Sequence, residues 1–325
     1  MNPKAAVVTG GVGFIGSHLA EELLKRRWKV IILDDLSTGK LENLSALDVI
    51  ASRSSEHSEE VAKQSPVEFV QGNITDFALV KNIFRGMDYV FHQAAIPSVP
   101  RSIENPQATH EANITGTLNV LLAAKDNGVK KVIYASSSSV YGDTPTLPKT
   151  EDMPPNPQSP YAVTKLAGEY YCRVFHQVYG LSTVCLRYFN VYGPRQDPNS
   201  QYAAVIPIFI RKVLDNKPPI IFGDGEQTRD FTFVKDVVDV NILAAESDAT
   251  GIYNIGRGER LSLNRLAKLI IKFVGNSVEP VHGEPRPGDI RHSLADISKA
   301  RQFGYNPRYN LEDGLRETIR VMSEE

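Results

Sequence analysis

Short runs of apolar, largely β-branched residues alternate with longer amphipathic stretches through the first 190 or so residues. The runs Ala5 to Val8, Val30 to Leu33, Val67 to Val70, Tyr89 to Phe91, Val132 to Ala135 and Thr183 to Arg187 are strand-length and bounded by turn residues. Between them, residues 16–27, 76–85, 107–127 and 160–179 repeat their apolar positions at helical spacing. Strands separated in this way by helices predict a parallel sheet with right-handed crossovers, a doubly wound α/β domain. Residues 51–65 are serine-rich and poor in large apolar groups, so they read as a polar helix or surface loop with no assigned function. After about residue 190 the regularity gives way to punctuation at Gly193-Pro194, Pro218-Pro219, Gly223, Gly225 and Pro285-Arg286-Pro287-Gly288. The expected organisation is therefore a first domain over 1–189, to which part of 230–260 returns, and a smaller loop-rich lobe over 190–325 that selects the ligand.

Composition narrows the partners. The 325 residues carry 36 Lys and Arg against 38 Asp and Glu, a net charge of -2 that offers no basic excess to nucleic acid or anionic lipid. The two cysteines, Cys172 and Cys185, sit in apolar patterns far from any His/Cys ligand spacing, so buried thiols are expected and a metal site is not. The chain runs from Met1 into Ala5 to Val8 without a basic leader or a membrane-length apolar span, which makes the cytoplasm the expected location and a membrane an unexpected partner.

Candidate chemistry begins directly after the first strand, where Thr9-Gly10-Gly11-Val12-Gly13-Phe14-Ile15-Gly16 opens a helix. Glycines let a backbone turn tightly beside a pyrophosphate, and the helix start presents unpaired N–H groups to the anion. An ordinary strand-to-helix turn also uses glycine. What distinguishes this one is Asp34 at the end of the next strand, 18 residues after Gly16, where a carboxylate meets the adenosine ribose hydroxyls and repels a 2'-phosphate. NAD is favoured over NADP, with Asp35 able to share the role.

Further along, Tyr161 and Lys165 stand four apart where a helical pattern opens, so both lie on one helix face. An ammonium beside a phenol favours the phenolate and suits it to general base chemistry on an alcohol. The spacing also arises by chance. Upstream, Ser136-Ser137-Ser138-Ser139 ends a strand and puts hydroxyls at the carboxyl edge of the sheet, where ligands bind in such folds, although four serines also suit a plain loop.

Glycine loop, serine run and Tyr161/Lys165, in that order, resemble the extended short-chain dehydrogenase/reductase family over nearly the whole chain. The resemblance implies a tightly bound NAD held by Gly10, Gly13, Phe14, Ile15, Gly16 and Asp34, with Asn73 and Ile74 at adenine, and Gln93, Ala94 and Ala95 along the pyrophosphate and nicotinamide ribose. Tyr188, with Tyr161 and Lys165, completes that set. Asn73 reads equally as a polar turn residue. Ser137, Tyr161 and Lys165 become the catalytic group, Ser137 bonding the sugar oxygen. The family also forms homodimers through an intermolecular four-helix bundle, here over 107–127 and 160–179. Leu118, Leu121, Leu122, Leu166 and Phe175 could serve that seam or the sheet-facing side.

Within the family, Arg187 to Pro194, Gly223 to Phe231 and Arg286-Pro287-Gly288-Asp289 resemble the nucleotide-sugar epimerase and dehydratase branch. Arg229, Arg286 and Asn190 suit a diphosphate, since guanidinium forks match its oxygens, while plain surface charge is the bland alternative. By resemblance Asp289 meets the nucleotide, and Ala204 and Val205 lie where uracil packs. Dehydratases place an Asp-Glu pair after the serine or threonine of the catalytic loop and decarboxylases a Glu, whereas this chain has Ser138-Ser139, with Ser138 among the substrate contacts. That leaves oxidation and re-reduction at C4 of a UDP-hexose. Ser98 to Ser102, Arg195 to Asn199, Tyr202 to Pro207 and Arg291 to Ser298 resemble UDP-N-acetylglucosamine 4-epimerases of bacterial polysaccharide synthesis, with UDP-glucuronate 4-epimerisation, dehydration or decarboxylation, or non-catalytic NAD binding as alternatives. Ser293 stands where epimerases of non-acetylated sugars carry tyrosine, leaving room for an acetamido group unless it merely packs.

Overall fold

Each predicted apolar run is a strand in the computed structural model, which describes residues 3–45, 47, 50–52, 67–198, 204–285 and 290–324. The strands are β1 (Ala5–Thr9), β2 (Lys29–Asp34), β3 (Ile50–Ser52), β4 (Val67–Gln71), β5 (Tyr89–His92), β6 (Lys131–Ser137) and β7 (Ser182–Tyr188). With the edge strand Gly251–Ile255 they form one eight-stranded sheet, ordered β3-β4-β2-β1-β5-β6-β7 and then that edge. Every pairing from β3 to β6 is parallel. Strand order reverses about β1, which opens a crevice at its carboxyl end.

The helices of this unit are α1 (Phe14–Lys25), α2 (Phe77–Ile83), α3 (Val99–Glu104), α4 (Pro106–His110), α5 (Gly116–Asp126) and α6 (Pro160–Tyr179). Two expectations change. The helix predicted over 107–127 is broken by a π-helical turn at Glu111–Thr115. Of the segment read as a polar helix or loop, Ala51 and Ser52 instead end β3, paired to Phe69 and Val70, because their backbone finds a free sheet edge; residues 53–65 lie outside the described residues.

Both sheet faces are buried, which is why the strands read as unbroken apolar runs. Val7, Leu33, Val90 and Val132 pack with Phe84, Val120, Leu121 and Phe175, while Ala6, Val8, Ile32 and Ile133, pointing the other way, are also fully buried. Cys172 and Cys185 are buried and unbridged.

The chain divides into two compact units, one of residues 1–140, 157–187 and 238–253, the other of residues 141–156, 188–237 and 254–325. The second unit is built from helices and short strands. Its helix Leu263–Val274 buries Leu263, Leu266, Ala267 and Ile270 at helical spacing, starts on the Ser262 hydroxyl, and ends at Gly275 with φ 79°. Helices Val205–Leu214 and Leu311–Glu324 pack against it. Among the described residues no helix is long and apolar enough to cross a membrane.

Candidate active site

The glycine loop fits a dinucleotide on its own geometry. Gly10 has φ 70°, and a Cβ there would sit 2.6 Å from the Ala94 nitrogen; one on Gly16 would sit 2.1 Å from the Gly10 oxygen. Only glycine allows the loop to close so tightly. Gly13 caps α1 without a side-chain acceptor and the first turn holds no acid, so the N–H groups near Phe14 and Ile15 face no competing anion from their own turn. Asp34 is buried, its oxygens accepting from Val12 N at 3.1 Å and Leu36 N at 2.9 Å, and burial raises its carboxyl above the ordinary range. It thus braces the glycine loop itself. Asp35 accepts from Ser37 N and, at 2.7 Å, from Asn73 Nδ2. Asn73 in turn accepts from Thr75 N and Thr75 Oγ1, so its turn-forming role is plain, and Ile74 is buried against Gly116. Gln93 Nε2 donates to Asn241 Oδ1 at 3.0 Å, and half-buried Ala94 and Ala95 continue from it beside Gly10. These residues fit NAD.

Ser137, Tyr161 and Lys165 come together between the end of β6 and the start of α6. Ser159 caps that helix by accepting from Ala162 N, and Pro160 occupies its first turn. Lys165 is buried, with Nζ donating to the Ala135 carbonyl at 2.8 Å and lying 5.9 Å from the Tyr161 ring centre. Burial lowers its pKa to about 8, against an opposing pull from Glu169. Tyr161 differs from the sequence expectation. Burial of the phenol end pushes it above its usual value and a hydrogen bond with Ser137 draws it back, so desolvation outweighs that bond in the protein alone. Ser137 Oγ also accepts from Ser139 N at 3.1 Å, and the Ser139 hydroxyl is buried without a partner. Ser138 starts the short 3-10 turn that follows.

Several supporting residues escaped the sequence reading. His92 is buried and links Thr9, at the root of the glycine loop, to Thr117 through bonds of 2.8 and 2.9 Å. Burial and the Lys165 charge take its pKa down to about 3, so it is neutral. Asn113, in the π-helical turn, donates to Thr164 Oγ1, which donates to the Tyr161 carbonyl. The signal for these contacts was a row of polar residues, Thr109, Asn113 and Thr117, spaced four apart along the helical stretch. Glu169, one turn beyond Lys165, is paired with Arg187.

Most residues that the resemblance assigns to the nucleotide sugar fall in the second unit, as does Tyr188, which it assigns to the cofactor. Tyr188 is buried at the end of β7. Asn190, with φ 30°, donates to the Asp230 carbonyl at 3.2 Å. Ala204 is exposed at the cap of helix Val205–Leu214, whose first residue, Val205, is half-buried. Arg229 lines a cavity of about 410 Å³ with Arg257, Arg260 and Arg265. Its neighbour Asp230, given no role of its own from the sequence, accepts from Arg257 N, Gly258 N and Ala295 N, and burial lifts its carboxyl to about 6. Ser293 is buried and donates its N–H to the Thr228 carbonyl at 3.0 Å. Arg286 and Asp289 lie outside the described residues. Among the described residues no three His, Cys, Asp or Glu side chains are grouped to hold a metal.

Comparison with known proteins gives the family. Residues 6–256 match the model of the NAD dependent epimerase/dehydratase family. A UDP-glucose 4-epimerase of Mycolicibacterium smegmatis is 40% identical, covering 96% of each chain. A UDP-glucuronate 4-epimerase of Thermodesulfobacterium geofontis is 36% identical, over 96% of this chain and 94% of its own. The structure of a UDP-N-acetylglucosamine 4-epimerase from Methanobrevibacter ruminantium M1, in complex with UDP-N-acetylmuramic acid, superposes with a TM-score of 0.91 at 43% identity, over 99% of both chains. With the glycine cradle, the Ser137/Tyr161/Lys165 group and the extended short-chain dehydrogenase/reductase fold all present, the chain belongs to the NAD dependent epimerase/dehydratase family.

Proposed function

We propose that the protein is an isomerase that inverts C4 of a UDP-hexose, UDP-N-acetylglucosamine/UDP-N-acetylgalactosamine and, alongside them, UDP-glucose/UDP-galactose. The observation that carries this is Ser137, Tyr161 and Lys165 assembled at one sheet edge while Ser138 and Ser139 follow Ser137 with no acid. NAD would be held by the glycine loop and Asp34 and would supply the hydride acceptor and donor and, when oxidised, a positive charge that favours the Tyr161 phenolate. Ser137 orients the 4-oxygen, Tyr161 takes its proton and later returns one, and Lys165 holds the phenolate against water's competition. Arg229, Arg286, Asn190 and Asp289 would hold the UDP moiety, with Ala204 and Val205 near its base and Ser293 near the acetamido group. Presenting each UDP-sugar, acetylated, plain and uronic, to protein given no added NAD tests the reading: interconversion of acetylated C4 pairs is the expected result, and turnover of the uronic pair alone refutes it.

The same reading makes the protein a cytoplasmic homodimer serving polysaccharide synthesis. Leu121 and Phe175 are buried in the core, and Leu118 and Leu122 pack against it. Val163, Tyr170, Val174 and Val178 instead form an exposed stripe along α6, and they support a seam with a second copy. Sedimentation should give twice the chain mass; a monomer mass independent of concentration removes the dimer.

A further inference from the structure

Tyr161, Lys165 and Glu169 recur every four residues along α6, and each is met by one of three successive residues at the end of β6. Ser137 bonds the Tyr161 phenol, the Ala135 carbonyl accepts from Lys165, and Ser136 Oγ donates to Glu169 Oε1 at 2.5 Å. The first two contacts belong to the chemistry already assigned. The third has no role in it. Glu169 is 1% exposed and Arg187, from β7, is 3% exposed; the guanidinium grips both carboxylate oxygens, Nε to Oε1 at 2.8 Å and Nη2 to Oε2 at 2.7 Å. A buried ion pair is a weak source of stability, because desolvating two charges offsets most of their attraction and apolar residues of similar volume would pack as well. A charge kept beside a reacting lysine therefore calls for an electrostatic explanation.

We propose that Glu169 is a positioning residue of the reaction, fixing the serine end of β6 through Ser136 and holding Lys165 as the cation that Tyr161 requires. The proposal rests on the reading of Tyr161 and Lys165 given above. Burial drives Lys165 toward the neutral amine, and Glu169 is the group that opposes this. With both oxygens claimed by Arg187 and one also by Ser136, Glu169 acts on Lys165 through its field and leaves Nζ on the Ala135 carbonyl, aimed along the face that carries Tyr161. The other groups facing this cluster are His92 of β5, Tyr134 of β6, whose ring centre is 5.1 Å from Nζ, Cys172 of α6 and Cys185 of β7. His92 is pushed down to about 3, burial raises Tyr134, and a hydrogen bond with Cys172 together with burial raises Cys185, both well above their usual values, whereas Lys165 is drawn down to about 8.

The pH profile of kcat/KM on the UDP-sugar that the panel selects tests this in the NAD-loaded protein. Glu169→Gln removes the negative charge and leaves Arg187 uncompensated, so the alkaline limb should move down by at least ~1 pH unit, a roughly tenfold loss above pH 8 and less at pH 6.5. Should that variant fail to fold, the double variant Glu169→Gln/Arg187→Met removes the pair together and should still move the limb down, by less. Ser136→Ala keeps the charge and should lower kcat with the limb in place. A folded Glu169→Gln or double variant whose alkaline limb coincides with the parent's overturns the proposal. If Tyr161→Phe, run alongside, retains its turnover, the catalytic reading itself fails, and the two failures are thereby told apart.

Discussion

In the first unit, side chains in and around the candidate site are tied to buried partners: Lys165 to the Ala135 carbonyl, Asp34 to Val12 and Leu36, Thr9 to His92. In the second unit, Arg229 lines an open cavity with Arg257, Arg260 and Arg265, and Ala204 is exposed at a helix start. The difference matches the work proposed for each. A proton acceptor functions within a narrow range of geometry and field, so its surroundings are rigid, buried and built on the sheet. A residue that recognises a diphosphate or a sugar substituent works through charge and free volume, which loops supply. Mutations in the first unit should therefore act chiefly on kcat, and mutations in the second on KM and on selectivity.

The largest effect expected is in the first unit, where Tyr161→Phe should cost at least ~100-fold in kcat, the lower end for a general base, with NAD content unchanged. Steady-state rates beside the cofactor content of the denatured protein check both halves; a folded variant with most of its turnover breaks the contrast. In the second unit, Arg229→Met should raise KM for the UDP-sugar about tenfold, the loss of a charge-assisted hydrogen bond, with kcat nearly kept. An equal fall in kcat with KM unmoved would place Arg229 in the chemistry instead. Ser293→Tyr should lower the ratio of kcat/KM for acetylated over plain UDP-sugars by about tenfold or more, since a ring there takes the space of the acetamido group. An unchanged ratio in a folded variant ends that assignment. A last effect concerns the scaffold. His92 has a folded pKa of about 3, below the unfolded value of about 6.5, so the unfolded chain binds the extra proton and stability falls as pH drops from 6.5 toward 3. Urea unfolding should show this as up to about 1.4 kcal/mol per pH unit, and His92→Gln should flatten that part of the slope.

Strands from Val7 to Leu186 were legible because a sheet buried on both faces demands continuous apolar runs, and the glycine loop was legible because close backbone approach excludes a Cβ at Gly10 and Gly16. Tyr161 and Lys165 were legible because their partnership is local to one helix turn. Glu169 with Arg187, His92 with Thr117, and Asp230 with Ala295 were not, since each pair meets only after the chain has folded. The π-helical turn at Asn113 was hidden for the same reason: the buried contacts of Asn113 with Ile96 and Thr164 join segments far apart in sequence. The edge strand Gly251–Ile255 does not stand out because its first three residues are exposed or half-buried and Asn254 interrupts its apolar run.

The central claim is that C4 is oxidised and reduced again within one site by the same bound NAD. A UDP-sugar carrying deuterium at C4, incubated in ordinary water with protein given no added cofactor, tests that claim most directly. The account predicts an inverted product that keeps its deuterium at C4, because the hydride removed is the one returned. Loss of the label to solvent, or inversion only when NAD is supplied at substrate concentration, would contradict it.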